Sequence, residues 1–261
     1  MESESSIGIA TFSKSLRLTG HLRFLCNAAE NSDLIQTTKI TLNEPWLEVQ
    51  FPCAHFVLSW ALLGGGWRTA SKVLWHRATD QDLPIGLDPL ALFLERIERD
   101  GMDKNAIGFL CGAPVSSYIE AVQACNGQWV RCLATVGLSN GVRVGDPSFL
   151  ANPKVGTINI LLQSSLPLSL AASIEASSVV TQARTLAVLE AQVPSAAGSG
   201  FLTGTGTDCI VIASPTHENP VAFSGTHTLI GHLIGKAVLK ATKIGIQRWK
   251  DRQGLLSVGA S

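Results

Sequence analysis

The chain runs to 261 residues, 46% of them hydrophobic and 15% charged, the make-up of a folded chain with a substantial core, which excludes a disordered one. Lys plus Arg and Asp plus Glu stand at 20 each. No charge excess draws nucleic acid or an anionic membrane to the protein, and neither is expected as a partner.

In chain order, the first fifty residues hold short extended candidates at 15–25, 35–41 and 46–51, separated by polar turns. Residues 55–63 read as a short helix stopped by Gly64-Gly65-Gly66, and 73–77 as a strand. Asp88-Pro89 is a helix start, with a capping carboxylate and then proline at the first helical position. Leu90, Phe93, Leu94 and Ile97 form its apolar face, and Gly101 is its stop.

Strands follow at 106–111, 117–125 and 128–136, the last two joined by Asn126-Gly127, a two-residue turn that implies antiparallel pairing. In that register Cys125 faces Gln128 and Cys132 faces Ala121, so the two cysteines are not opposite each other. After the loop 139–153 comes a strand at 157–163. Pro167 and Ser169 introduce a long helix with Ala176, Val179, Val180, Ala183 and Leu186 on one face. A Gly-, Ser- and Ala-rich loop at 194–206 precedes a strand beginning at Asp208. The final helix spans roughly residues 226–249, with the stripe Ile230, Leu233, Ile234, Ala237, Ala241 and Ile244. Lys240, Lys243, Arg248 and Lys250 gather near its carboxyl end, where the helix dipole favours cations.

Hairpins mixed with long helices imply an α+β fold: one domain over residues 1–261, with a mixed or antiparallel sheet packed against a few long helices. The run 155–174 is charge-free, but Asn159, Gln163, Pro167 and several serines break it as a membrane span. Met1-Glu2-Ser3-Glu4 is acidic and leads into no apolar signal core, so a cytoplasmic protein is expected. The 6 cysteines, at 26, 53, 111, 125, 132 and 209, show no CxxC and no ligand spacing. Reduced, mostly buried thiols and no protein-held metal are expected. Between Cys132 and Gly235 the charges are Arg143, Asp146, Lys154, Glu175, Arg184, Glu190, Asp208 and Glu218. That half reads as core and sheet, and it would also suit a large, weakly charged ligand or a second subunit.

The richest chemistry lies in Thr203-Gly204-Thr205-Gly206-Thr207-Asp208, which runs into the apolar stretch Cys209-Ile210-Val211-Ile212-Ala213. Glycine lets backbone N–H groups approach a ligand, threonines donate and accept, and an aspartate orients a partner or caps the turn before a strand. No P-loop lysine is present and no helix follows, so this is not a Walker motif. Ser224-Gly225-Thr226-His227-Thr228 is a second polar cluster at the start of the last helix. There an imidazole, hydroxyls and free helix N–H groups meet, able to move a proton and hold an oxyanion; alternatively His227 is a polar residue of the first turn. His232 lies five positions on, so the two imidazoles do not share a face as a metal pair. Asn140 and Asp146 sit in the turn-rich stretch after the strand at 128–136, and Asn159 interrupts an apolar strand, where a buried amide must tie sheet to loop or face a site. Ser59 precedes the triple glycine, as a packing residue or as a polar group where a ligand approaches the backbone.

These pieces, in this order, resemble the adenosylcobinamide amidohydrolase family. The matching residues are Leu58-Ser59 with Gly64-Gly65-Gly66; 136–140 with Gly145-Asp146-Pro147; 156–160; 203–208; and 224–231. The residues before about 45 and after about 245 carry no usable motif. The resemblance implies hydrolysis of the amide joining the aminopropanol arm to the corrin ring, giving adenosylcobyric acid and 1-amino-2-propanol. It implies a corrinoid substrate and no enzyme cofactor, the cobalt belonging to the substrate. On chemical grounds the catalytic candidates are His227 as base and then acid, Asp208 orienting it, and Thr207. Ser59, Asn140, Asp146, Asn159, Thr203, Thr205 and Thr226 are the substrate-binding candidates. Acyl-enzyme formation and direct attack by water both stay open. The rival readings are a non-catalytic corrinoid-binding protein, a self-processing amidase with an N-terminal nucleophile, and a metal-dependent amidase.

Overall fold

Strand alternation organises the molecule around one long element. The computed structural model describes residues 37–147 and 154–255; the extended candidate at 15–25 lies outside them. After β1 (Lys39–Asn43), β2 (Trp46–Ser59) runs for 14 residues and is paired along both edges. β3 (Gly66–Arg77) takes one edge, with a bulge between Gln50 and His55. The other edge is shared, β1 pairing Trp46 to Gln50 and β10 (Cys209–Pro215) pairing His55 to Ser59. The helix expected over 55–63 is therefore strand as far as Ser59. Short apolar runs do not separate the two states by period, and two-sided pairing with aromatic and β-branched residues decides for strand. Gly64 (φ +70°) and Gly66 (φ +101°) then turn the chain into β3.

The remaining strands are β4 (Ile107–Cys111), β5 (Ile119–Cys125), β6 (Gln128–Val136), β7 (Gly141–Val142), β8 (Ile158–Ser164) and β9 (Gly204–Thr205). The main sheet has the order β4-β3-β2-β10-β8-β6-β5, while β7 and β9 form a small ribbon. β3–β4 and β8–β10 are parallel pairs and the others antiparallel, so the sheet is mixed. Asn126 and Gly127 both have positive φ in the β5–β6 hairpin, and Cys125 and Cys132 fall opposite Gln128 and Ala121 as the turn requires.

Helices α1 (Pro89–Arg99), α2 (Leu170–Glu190) and α3 (Leu229–Arg252) cover one face. Asp88 caps α1 by accepting from Leu90 N at 3.0 Å, and Ser169 caps α2 by accepting from Ala172 N at 3.1 Å. The last helix begins later than 226, because the Thr228 hydroxyl takes the cap by accepting from Gly231 N at 3.0 Å. Leu94, Leu186 and Ile244 lie outside their expected apolar faces, being 40%, 46% and 36% exposed. α2 and α3 lie side by side in the same direction. Gly235 meets Val179, and further along both helices Lys243 pairs with Glu190. A Cβ on Gly245 would collide with Val136, so α3 reaches the sheet through a glycine.

Alternate residues along the strands divide two cores. Ile158, Ile160, Leu162, Ile210 and Ile212 meet α2 and α3. Leu133, Leu161, Val211 and Ala213 meet Val57, Val73, Trp75 and Phe109 across the inside of a sheet that curls on itself. The curl brings β4 over β8, where Asn159 Nδ2 donates to Leu110 O at 2.7 Å. Burial on both faces explains why β8 and β10 read as nearly unbroken apolar runs. α1 covers the outer side of β3 through Phe93 and Ile97 against Trp46 and Leu74.

Candidate functional site

Because β10 runs parallel to β8 with Cys209 opposite Asn159, the Thr- and Gly-rich turn arrives beside the first residues of β8. The Asp208 carboxylate gathers that turn. It accepts from Ile158 N and Thr205 N, each at 3.0 Å, and from the Thr205 hydroxyl. It also pairs with Arg184 on α2. Both charged side chains are largely withdrawn from water, at 13% and 10% exposed, a burial tolerated because each charge is matched. A Cβ on Gly204 would collide with the Arg184 guanidinium and the Asp208 carboxylate, so a side chain there would have to displace the pair.

The neighbouring segments are stitched to the same turn. Thr207 Oγ1 donates to Gly156 O at 3.2 Å, and Thr157 Oγ1 donates to Thr207 O at 2.8 Å. Gly206 N donates to Asn140 O at 3.2 Å, and the β7–β9 ribbon sets Gly141 opposite Thr205. A Cβ on Gly156 would stand 2.7 Å from Asn140 N and 2.9 Å from Ser139 N, so this glycine lets two loops touch. Thr203 Oγ1 accepts from Val144 N at 2.8 Å. Ser59 is buried and closes the end of β2, donating to Ile210 O at 2.8 Å and accepting from Ala61 N at 2.9 Å. Trp60 Nε1 donates to Asp208 O at 2.8 Å while its ring stays 54% exposed.

Ser59, Asn140, Asn159, Thr203, Thr205, Thr207 and Asp208 thus meet at one end of the sheet. Their roles differ. Asn159 is 1% exposed and ties β8 to β4. Thr205 is buried against Asp208, whereas Gly206 and Thr207 are exposed and Asn140 is half-buried. Asp146 belongs to an adjoining loop, where hydroxyls of Ser195 and Ser199 donate to its carboxylate and hold it below the usual carboxylate range. Burial pushes the Cys209 thiol up to about 12 and the Cys111 thiol to about 11, so neither supplies a thiolate near neutral pH.

His227 and Thr226 lie elsewhere. Ser224 and Gly225 donate to Glu175 near the amino end of α2, at 2.7 and 3.1 Å, whereas Asp208 is held by Arg184 near its carboxyl end. Nine helical residues, about 13 Å of axis, separate the two anchor points. The expected His227–Asp208 pairing is therefore corrected: α2 runs opposite to β10, so Asp208 before the strand lies by the later part of the helix and the segment leading to His227, after the strand, lies by its start. His227 and Thr226 are both exposed. Sequence reasoning missed Arg184, Trp60 and Thr157. One signal was available for the first, since Arg184 is the sole Lys or Arg between Lys154 and Lys236.

The family model for adenosylcobinamide amidohydrolase matches residues 31–254. This chain belongs to the adenosylcobinamide amidohydrolase family. Among similar proteins, a Methanosarcina mazei protein named adenosylcobinamide amidohydrolase is 30% identical over 168 residues, covering 61% of this chain and 75% of that protein. An uncharacterized protein of Methanocaldococcus jannaschii is 27% identical over 165 residues, covering 56% of this chain and 64% of its own length. A crystal structure of a Pyrococcus horikoshii protein aligns at 11% identity with a TM-score of 0.39, covering 80% of this chain and 79% of the other. Every motif of the Asp208 cluster falls within the span matched to the amidohydrolase family. No helix among the described residues is long and apolar enough to cross a membrane.

Proposed function

We propose that this chain hydrolyses the amide linking the aminopropanol arm of adenosylcobinamide to its corrin ring, releasing adenosylcobyric acid and 1-amino-2-propanol. The observation that carries the reading is the convergence of four sequence-distant segments on the turn from Gly206 to Asp208, in a chain whose family is that of adenosylcobinamide amidohydrolase. In this reading the Asp208–Arg184 pair is a positioning device, its lone pairs already occupied. The groups that meet the substrate stand on the exposed rim. The Asn140 amide holds a substrate carbonyl, the Thr207 hydroxyl faces the scissile amide, and N–H groups of the glycine turn hold charge developing on oxygen.

The test is incubation of the purified protein with adenosylcobinamide in dim light, with corrinoids and amine followed by mass spectrometry. Adenosylcobyric acid appearing with an equal amount of aminopropanol is the expected outcome. Unchanged cobinamide that co-elutes with the protein would replace the enzyme with a corrinoid-binding protein, and neither turnover nor binding would overturn both.

A further inference from the structure

Among the described residues, the helix layer leaves a strip of the outer sheet surface open, and that strip is aromatic. α3 covers β5 and β6, α2 covers β10 and only grazes β2, and α1 covers the far half of β3. Between α1 and α2 the outer sides of β2 and β3 carry Phe56, Leu58 and Trp67. Val57 faces the inner core, so strand alternation turns Phe56 and Leu58 outward. Trp67 is opposite Leu58 in the register and stacks on Phe56 with ring centroids 5.2 Å apart and planes 13° from parallel. Trp67 is 37% exposed, and Trp60, at the site end of the same strip, is 54% exposed.

Two features say what such a strip fits. It is continuous with the candidate site, because the exposed Trp60 ring is pinned by its indole N–H to the backbone of Asp208. Its own residues carry no charge: Phe56, Leu58, Trp60 and Trp67 are all uncharged, and the neighbouring Arg68 stands opposite Val57 and so alternates to the other face. A flat, uncharged aromatic shelf beside a polar rim matches a large planar ligand that is apolar over its face and polar at its edge. It does not match a phosphate-bearing one, which needs cations or free helix N–H groups.

We propose that Trp60 and the Phe56–Trp67 stack form the binding shelf for the face of the substrate's corrin ring, placing an edge amide over the Asn140–Thr207 rim. This rests on the proposed hydrolysis of adenosylcobinamide and adds the surface that selects a corrinoid. The shelf binds substrate and transition state alike, so its loss raises KM and leaves kcat in place.

The experiment compares wild type with Trp60→Leu, Trp67→Leu and Trp60→Phe, reading steady-state hydrolysis of adenosylcobinamide and quenching of tryptophan fluorescence by cobinamide. The expected result is a KM and a cobinamide Kd each raised about tenfold in the two leucine variants, with kcat within about twofold of wild type and the phenylalanine variant largely restored. Active variants with unchanged KM and Kd would overturn the shelf while leaving the hydrolysis reading intact. So would a fall in melting temperature without a KM change, which would mark the strip as covered by another part of the chain. A change of oligomeric state on size exclusion with KM unchanged would assign the strip to a second copy. A wild type that neither turns over nor binds the corrinoid would remove the hydrolysis reading and the shelf with it.

Discussion

Asp208 and His76 are two ionisable side chains withdrawn from water, and they resolve that burial differently. Asp208 is buried but matched, so its cost appears only when the match is broken. Asp208→Asn should lower stability by about 3 kcal/mol, as removal of one partner from a buried ion pair does. Adding Arg184→Met should recover part of that loss, and urea unfolding of the single and double variants gives the coupling directly. His76 is buried and unmatched: its ring sits 4.4 Å from Trp46 by centroid, and among the described residues neither ring nitrogen has a hydrogen-bond partner. Burial, with the nearby Arg96 cation and a smaller effect of Arg99, pushes it down to about 4, while Asp100 and Asp82 oppose the shift. The folded state therefore keeps His76 neutral where the unfolded chain protonates it near 6.5. Its contribution is whole above pH 6.5, declines as the pH falls toward 4, and amounts to about 3 kcal/mol at most. His76→Leu should flatten the acid side of the stability profile between those pH values, measured by thermal melts across the range; an unchanged slope would exonerate His76.

Elements are placed here by close approaches as much as by apolar burial. The start of β8 and the loop after β6 touch through Gly156, and α3 touches β6 through Gly245. Gly156→Ala should push Asn140 away from the Thr207 rim without unfolding the sheet, whose strands keep their own ladders. Misplacement by a fraction of an ångström to an ångström is expected to lower kcat/KM by up to about 10²-fold. Circular dichroism should stay native in the same sample, and a wild-type rate would mean that Asn140 is not part of the working rim. Elements whose character comes from local chemistry were readable in the sequence: the Asn126-Gly127 hairpin, the Asp88-Pro89 start of α1, the Ser169 cap of α2. The second half of β2 was not. Nothing local to 55–63 announces that β10, about 150 residues away, will pair with it.

At the scale of the whole molecule, the parallel arrangement of α2 and α3 and the curl of the sheet create two polar ends, and the motifs are divided between them. Ser59, Asn140, Thr203, Thr205, Thr207 and Asp208 share one end; Thr226 and His227 stand at the other. If the chemistry belongs to the Asp208 end, His227→Ala should keep its rate within about threefold of wild type, while Thr207→Val should lose about 10²-fold or more. A loss of 10²–10⁴-fold in the histidine variant, the size of a missing general base, would move the reaction to the amino end of α3.

The family resemblance, the mixed α+β character, the caps of α1 and α2, the hairpin register and the residue types of the site were all determined by the sequence, because each depends on neighbours within a few positions or on motifs read in order. Which of those residues meet was decided only by tertiary structure. Whether Asp208 faces His227 or Arg184 depends on the direction of α2 relative to β10, and that direction follows from how the whole sheet buries both of its faces. Long-range packing of this kind leaves no local trace, so a polar cluster legible as a list of residues became a site only once the chain had folded around it.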